Sequence, residues 1–382
     1  MSLYTLDEIH RLLSGVRIEQ TPFLILDETR LRVNARRFRA AFPGSRVLFS
    51  VKANNHPQVL RLFADEGIDF DVASWGEIEI LAAAGVPVER MIFSAPTKIP
   101  RHILQAHQFG VRVFAFDSAL ELEKLARLAP GALLMARMAV DNEGSYWPLE
   151  RKFGIQPEEG LNLLDYAVEL GLKPYGLTFH VGSQNSDPLA WIRAMERLRP
   201  LFESLIQKGL ALACINIGGG FPSQFDRPVP TVEEIAREIL SRWQDWFGSQ
   251  TQLWVEPGRG LVGDAGVMVT SVINRARRNG QEWLYVDAGV FHGLIEGLEM
   301  FHFPYNILSE KPDEELIPFT ISGPTCDSAD VIRSEVYLPA SLTLGDRLYI
   351  FPAGAYTNSL EHYNGLSFAP VILTNAKAQE GV

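Results

Sequence analysis

Between residues 22 and 262, short apolar runs alternate with amphipathic helical patterns, and this alternation constrains the fold more than any other feature. Strands separated by helices are typical of parallel sheets, because parallel neighbours need a long crossover connection. Such units can close into a (β/α)8 barrel, and an open doubly wound sheet is the alternative. The predicted strands cover residues 47–51, 70–73, 91–95, 111–116, 132–138, 175–181, 213–217 and 252–255.

The pattern changes after residue 262, where β-rich runs separated by turn signals replace long helical periodicity. These runs cover residues 267–273, 283–286, 318–321, 334–338, 347–351 and 370–374. Short strands of this kind predict a mostly β domain. We therefore expect a barrel over residues 22–262 and a β domain over residues 263–382, which residues 1–21 could complete.

Composition excludes several classes of protein. The formal net charge is −11, which argues against nucleic acid or an anionic membrane as a partner and would weakly attract a small cationic substrate. No run is apolar over a length that could span a bilayer, and the first residues lack a signal-peptide pattern. The two cysteines, Cys214 and Cys326, cannot build a disulfide framework, which predicts a reducing, cytoplasmic location.

The carboxyl ends of most predicted barrel strands carry polar residues or glycines, at the end where the active sites of such barrels lie. These residues are Lys52, Asp71, Ser74, Ser94, Asp117, Arg137, His180, Ser183, the three glycines 218–220 and Glu256. Lys52 is the most informative of them, because it directly follows an apolar run. Desolvation there would favour the neutral amine, a nucleophile that can form a Schiff base with an aldehyde.

Two further motifs extend this chemistry. Gly218, Gly219 and Gly220 follow the seventh predicted strand, where backbone N–H groups of such barrels commonly bind phosphate. Glu256 ends the eighth strand, and no His/Cys/Asp cluster with metal-ligand spacing surrounds it in the sequence, so a metal is disfavoured. A lysine, a carboxylate and a glycine loop together favour pyridoxal phosphate, with the lysine on its aldehyde and the carboxylate on its pyridinium nitrogen.

Seven motifs resemble those of the group IV decarboxylases of basic amino acids, pyridoxal phosphate enzymes of fold type III that are built like alanine racemase. The motifs are residues 49–54, 70–74, 179–183, 217–222, 256–259, 323–330 and 354–357. They occur in one order and span most of the chain. The pattern is most similar to ornithine decarboxylase and the bacterial lysine/ornithine decarboxylases.

The resemblance implies a role for each matching residue. Lys52 would form the Schiff base, Glu256 would pair with the pyridinium, and His180 would stack on the cofactor ring. Asp71 and Arg137 would lie close to the cofactor. The residues expected around the phosphate are Ser183, Gly218, Gly219, Gly220, Arg259 and Tyr356.

The resemblance also implies a homodimer with shared active sites. Cys326 and Asp327 would reach the site from the partner subunit, and Lys152 would pair with Asp330 across the interface. Glu299 lies near the position where relatives carry a substrate-binding acid.

The implied reaction is decarboxylation of a basic L-amino acid, ornithine first and lysine second, to a diamine. Asp327 would pair with the distal ammonium, and Cys326 would control protonation at Cα. Diaminopimelate decarboxylase is the nearest alternative, although its family usually has glutamate after the cysteine. A larger conjugate such as citrylornithine, used in siderophore biosynthesis, stays open because residues 142–148 and 301–303 depart from the family pattern.

A different class of function is a non-catalytic regulator, as in the antizyme inhibitors. Relatives of that kind tend to lose cofactor or catalytic residues, whereas Lys52, Glu256 and Cys326 all remain. We therefore expect an enzyme, a pyridoxal phosphate-dependent carboxy-lyase.

Overall fold

The computed structural model describes residues 3–18, 20–210, 212–301, 303–311, 315–359 and 370–375. The chain divides into two compact units. We call residues 34–222 with 230–261 the barrel unit, and residues 1–33, 223–229 and 262–382 the β unit. Of the segments flagged by the sequence, His302 lies outside the described residues.

The strands of the described part are β1 (Phe23–Asp27), β2 (Arg46–Ser50), β3 (Asp69–Val72), β4 (Met91–Phe93), β5 (Val113–Phe116), β6 (Leu133–Arg137), β7 (Ser145–Trp147), β8 (Lys173–Thr178), β9 (Ser183–Asn185), β10 (Cys214–Asn216), β11 (Gln252–Val255), β12 (Gly266–Arg278), β13 (Gln281–Val286), β14 (Asn306–Ser309), β15 (Leu316–Ser322), β16 (Val331–Pro339), β17 (Arg347–Phe351) and β18 (Val371–Thr374). Its helices are α1 (Leu6–Leu13), α2 (Glu28–Ala41), α3 (Pro57–Asp65), α4 (Trp75–Ala83), α5 (Pro100–Phe109), α6 (Ala119–Leu128), α7 (Pro157–Glu169), α8 (Ala190–Gln207), α9 (Val232–Phe247) and α10 (Arg259–Val262). Within the described ranges, no helix is long and apolar enough to cross a membrane.

The barrel unit is a closed parallel barrel in the order β2, β3, β4, β5, β6, β8, β10, β11. It closes where β11 pairs with β2, with Trp254 opposite Arg46 and Val255 opposite Val47. Every predicted barrel strand is present, which confirms the (β/α)8 barrel and excludes the open sheet. All active-site candidates at the carboxyl ends of these strands consequently share one end of the barrel.

Apolar side chains from six of these strands fill the barrel interior. One buried cluster consists of Leu48, Ile92, Val113, Ala115, Met135, Cys214 and Trp254. Cys214 is thus a core residue, and burial raises the pKa of its thiol far above the ordinary value. Two helices begin immediately after a strand, where Ser74 and Ser118 accept hydrogen bonds from backbone N–H groups of α4 and α6. These caps keep the strand-to-helix loops short.

The β unit contains a sheet in the order β14, β17, β12, β13, β15, β16, with β1 paired to β12 and to β18. Helix α1 packs on it through Ile9 and Leu12, in a cluster with Phe23, Ile25 and Tyr349. Strand β1 therefore belongs to this sheet, although the sequence boundary at residue 22 assigned it to the barrel. The strand is buried along its whole length and α2 follows it at once, which is also the pattern of a barrel strand.

Candidate active site

Lys52 lies just beyond β2, in a short 3-10 helix, Val51–Ala53. The Ser50 N–H donates to the Pro257 carbonyl oxygen at 3.1 Å, which ties this turn to the loop after β11. Val51 and Ala53 are buried, but the Lys52 side chain is exposed. The structure of the single chain therefore does not show the desolvation that the sequence predicts for this lysine, because the turn buries its neighbours and leaves Lys52 exposed.

Asp71 is a buried carboxylate held by serines from both neighbouring strands. The Ser50 hydroxyl donates to its Oδ2 at 2.7 Å, and the Ser94 hydroxyl donates to its Oδ1. Ser50 and Asp71 are register partners in the β2–β3 pair, so the barrel register brings them together. These two hydrogen bonds fix the orientation of the Asp71 carboxylate.

Glu256 follows β11 and is only 4% exposed. The Asn216 amide donates to its Oε1 at 2.6 Å, and the Glu256 N–H donates to the Gly218 carbonyl oxygen at 2.8 Å. Burial, and then the Asp71 carboxylate, raise the pKa of Glu256, while Arg137 and Lys52 oppose that rise. A buried carboxylate with a raised pKa is a basic group, suited to hold a proton that it shares with a ring nitrogen.

His180 and Arg137 complete the group of charges around Glu256. Burial, and then Arg137 and Lys52, lower the pKa of His180 well below its ordinary value. The Gly182 N–H donates to His180 Nδ1 at 3.0 Å, so the neutral ring carries its proton on Nε2. Burial also lowers the pKa of Arg137, and Glu256 and Asp71 counteract that shift. A neutral imidazole can pack flat against an aromatic ring without a charge penalty.

The glycine loop leaves no room for side chains. A Cβ at Gly218 would overlap the Phe179 carbonyl oxygen, and one at Gly219 would lie 2.7 Å from the Glu256 carbonyl oxygen and 3.0 Å from His180 Nε2. Nearby, the buried Arg259 guanidinium donates to the Ser183 hydroxyl at 3.4 Å. Backbone N–H groups, a hydroxyl and a guanidinium form a donor set that suits a phosphate.

Residues 142–148, which depart from the family pattern, lie between β6 and α7 and contact the loop after β8 that carries His180. The Asn142 amide donates to the His180 carbonyl oxygen at 3.1 Å, and its own oxygen accepts from the Leu149 N–H at 2.6 Å. Strand β7 pairs antiparallel with β9, with Trp147 opposite Ser183. The segment is therefore built into the site, which its sequence does not indicate because each strand has only three residues.

Two further acids, Glu77 and Asp117, each accept a hydrogen bond from a backbone N–H group. Glu77 accepts from the Ala73 N–H at 2.6 Å, and burial followed by the Asp71 charge raises its pKa to about 7. Lys52 lowers that pKa, so Glu77 lies within electrostatic range of the lysine. Asp117 accepts from the Gly154 N–H at 3.1 Å. Its charge lies close enough to Arg137 to raise the pKa of that guanidinium.

The remaining predicted residues belong to the β unit. Cys326 is exposed and Asp327 is partly buried, both in the turn between β15 and β16. Tyr356 has a left-handed backbone at φ 58°. Glu299 is exposed, whereas Glu296, which the sequence did not single out, is buried.

Phe303, one of the residues that depart from the family pattern, lies in the core of the β unit. It packs against Phe225, with ring centroids 5.1 Å apart. Phe225 also approaches Tyr305, at 5.9 Å. These rings form part of the core of the β unit, so Phe303 gives no support to an enlarged substrate pocket.

The residues of the barrel unit fit pyridoxal phosphate. Lys52 offers an accessible amine, Glu256 a basic buried carboxylate, and Gly219 a cradle beside His180 that a Cβ would fill. In the described portion of the chain, no group of His, Cys, Asp and Glu residues is arranged to hold a metal ion. A barrel with these groups at the carboxyl ends of its strands defines a pyridoxal phosphate enzyme of the alanine racemase fold.

Comparison with known proteins identifies the family. Residues 28–263 match the pyridoxal binding domain of the pyridoxal-dependent decarboxylases. The chain therefore belongs to the pyridoxal-dependent decarboxylases, and pyridoxal phosphate is its cofactor. This confirms both the recognised family and the prediction of an enzyme.

Individual relatives agree with this family. A lysine/ornithine decarboxylase of Selenomonas ruminantium is 36% identical over 354 residues, which cover 92% of this chain and 89% of the relative. A crystal structure of lysine/ornithine decarboxylase from Vibrio vulnificus with cadaverine superposes with a TM-score of 0.89 at 33% identity, over 97% of this chain and 99% of that one. Antizyme inhibitor 2 of Xenopus laevis is 34% identical, over 88% of this chain and 77% of its own.

Proposed function

We propose that this enzyme decarboxylates a basic L-amino acid, ornithine in preference to lysine, and releases the corresponding diamine. The observation that carries the proposal is the buried Glu256 carboxylate, held by Asn216 within range of Asp71, Arg137 and Lys52. The lysine/ornithine specificity in the names of the relatives supports the substrate class. The net charge of −11 favours a cationic substrate over an acidic one.

Each side chain of the barrel unit has one task in this proposal. Bound pyridoxal phosphate supplies an electron sink for the carbanion that forms at Cα when carbon dioxide leaves. Lys52 would hold the cofactor through its aldehyde, and Glu256 would keep a proton on the ring nitrogen. His180 packs on the ring face. Ser183, Gly218, Gly219, Gly220 and Arg259 would bind the phosphate, together with Tyr356 of the β unit.

The raised pKa of Glu256 explains why a protonated ring would persist. Asn216 donates to Oε1 and so holds the carboxylate that would accept a ring N–H. A carboxylate made more basic by burial and by Asp71 gains more from sharing that proton than an exposed carboxylate would. Asp71 is therefore an electrostatic support for Glu256, and Arg137 limits the total negative charge.

The residues from the β unit act on the substrate. Asp327 of the partner subunit pairs with the distal ammonium, Glu299 adds negative charge, and Cys326 of the partner subunit controls the proton delivered to Cα. The proposal therefore requires a homodimer with shared sites. We also propose a cytoplasmic location, which the two free thiols, Cys214 and Cys326, support.

A substrate panel tests the reaction directly. We expect kcat/KM, measured by carbon dioxide release, to fall in the order ornithine, lysine, diaminopimelate, citrylornithine. The far carboxylate of diaminopimelate would meet Asp327, and the citryl group would remove the distal charge. A higher kcat/KM for either acidic compound than for both diamino acids would refute the proposed substrate class.

Mixing two inactive variants tests the shared site. Lys52→Ala and Cys326→Ala homodimers should each be nearly inactive, because each lacks one essential group in both sites. Random subunit exchange makes half of the dimers mixed, with one intact site each, so about a quarter of wild-type activity should return. No recovery, with exchange shown independently, would place both residues in the site of a single chain.

A further inference from the structure

The proposed function gives no task to residues 142–149, which lie between β6 and α7 and which we call the arm. Most of the arm departs from the family pattern. Its first residue, Asn142, is nevertheless buried, with 5% of its surface exposed. A buried side-chain amide is normally hydrogen-bonded, so the partners of Asn142 show which parts of the barrel unit it holds together.

The Asn142 side chain joins three pieces of main chain. Its Nδ2 donates to the Val140 carbonyl oxygen and to the His180 carbonyl oxygen, both at 3.1 Å. Its Oδ1 accepts from the Leu149 N–H at 2.6 Å. Both N–H donors and the oxygen of the amide are therefore used. One side chain fixes the main chain of His180, after β8, to both ends of the arm.

The arm also packs against Gly182, the residue that orients the His180 ring. The Gly182 N–H donates to His180 Nδ1 at 3.0 Å, and its backbone is left-handed at φ 87°. A Cβ at Gly182 would overlap the Ser145 side chain and lie 3.1 Å from Asn142 Oδ1. The Ser145 hydroxyl donates to the Asn142 carbonyl oxygen at 2.7 Å. The arm therefore contacts the His180 loop on both sides of the imidazole.

We propose that Asn142 is a positioning residue that acts on cofactor binding through His180, by fixing the main chain that carries the imidazole. The inference rests on the proposed function, which packs the His180 ring on the face of pyridoxal phosphate. Such packing depends on the distance and angle between the two rings. Gly182 sets the rotation of the imidazole, and Asn142 sets the position of the backbone from which the ring extends.

A double-mutant cycle on cofactor affinity tests this coupling. The dissociation constant of pyridoxal phosphate is measured by titrating each apoprotein and following the imine absorbance. His180→Ala should weaken binding about tenfold, because it removes the ring contact. Asn142→Ala should weaken binding severalfold in the wild-type background. In the double variant it should cause no further loss, because no ring is left to position.

The matched control is Asn185→Ala. Asn185 is fully buried, and its amide, like that of Asn142, donates to two carbonyl oxygens and accepts from one backbone N–H. These partners are Glu143, Val181 and Asp187. Asn185 thus holds the arm to the same loop without binding the His180 carbonyl oxygen. Any loss of affinity that Asn185→Ala causes should persist unchanged in the His180→Ala background.

Three results would overturn the inference: wild-type affinity in Asn142→Ala, an undiminished further loss in the double variant, or the same coupling in Asn185→Ala. If thermal unfolding shows that Asn142→Ala does not fold, Asn142→Asp replaces it in the cycle, because its carboxylate keeps an acceptor for the Leu149 N–H.

The same titrations separate this inference from the proposed function. Cofactor binding needs no amino acid, so a wrong substrate assignment would leave the cycle unchanged. Wild-type affinity in His180→Ala would refute the ring contact of the proposed function and this inference with it. Weakened affinity in His180→Ala with wild-type affinity in Asn142→Ala would refute the role of Asn142 alone.

Discussion

The buried ion pair between Lys98 and Glu121 allows the sharpest stability prediction. The Lys98 side chain is 0% exposed and the Glu121 side chain 2%. Lys98 Nζ lies 2.9 Å from Glu121 Oε1, which is an ion-pair distance, but the angles are not those of a hydrogen bond. The ammonium also donates to the Ala95 and Ala115 carbonyl oxygens, at 2.9 and 2.5 Å. The Lys98 ammonium therefore links the loop after β4 to β5 and α6. Its acceptor Ala95 directly follows Ser94, which donates to Asp71.

Lys98→Met keeps most of the side-chain volume and removes the charge and the donors. Breaking a buried pair by removing one partner costs about 3–5 kcal/mol. Lys124 still lies 2.5 Å from Glu121 Oε2, so the expected cost is at the low end, about 3 kcal/mol. At 2–4 °C per kcal/mol for a domain of this size, the Tm should fall by about 6–12 °C.

Thermal unfolding at fixed protein concentration and saturating pyridoxal phosphate measures this loss, because cofactor binding and dimerisation both shift Tm. The matched control is Lys208→Met. Lys208 pairs with Asp165 at 2.7 Å, but the two side chains are 44% and 43% exposed. An exposed pair is worth under about 1 kcal/mol. Equal Tm losses in the two variants would refute the argument that burial, and not distance, determines the cost.

Three further variants test the site. Glu256→Gln should still bind pyridoxal phosphate but lower kcat about a hundredfold, since an amide cannot hold the ring proton; retained kcat would contradict the pyridinium role. Gly219→Ala should weaken cofactor binding in titrations of the apoprotein, because its Cβ would lie 2.7 Å from the Glu256 carbonyl oxygen, whereas Gly76→Ala, with 3.7 Å to its nearest neighbour, should not. Glu77 has a folded pKa raised from 4.5 to about 7, so the folded state binds more protons between those values and stability falls as pH rises through them. The Tm difference between wild type and Glu77→Gln should therefore decrease from pH 5 to 7.5, and an increase would contradict the assignment.

The barrel was predictable because its strands are short apolar runs that alternate with longer helical patterns. No strand was predicted over residues 23–27, and the boundary at residue 22 left them with the barrel, since a fully buried strand followed by a helix looks alike in a barrel and in the middle of another sheet. Strands β7 and β9 have three residues each, too few for any periodicity. Sequence periodicity therefore cannot identify strands as short as three residues, and it cannot assign a strand that is buried on both faces to one sheet or another.

The site was predictable as a set of residues but not as a set of contacts. Motifs identified Asp71 and Glu256, yet their partners Ser50 and Asn216 depend on how neighbouring strands are aligned. The β2–β3 register places Ser50 opposite Asp71, and a one-residue shift would turn the hydroxyl to the other face. The exposure of Lys52 was likewise missed, because a strand end and a 3-10 turn have the same sequence signature here.

Closure of the barrel connects the fold to the chemistry. Lys52 follows the first strand of the barrel and Glu256 follows the last, and they come into electrostatic range because β11 pairs with β2. In an open sheet these two strands would be opposite edges, and Glu256 would be as solvated as any edge residue. Closure buries Glu256 next to Asp71, which raises its pKa, and keeps Lys52 close enough to oppose that rise. The basicity that suits Glu256 to a pyridinium partner is therefore a consequence of the closed topology.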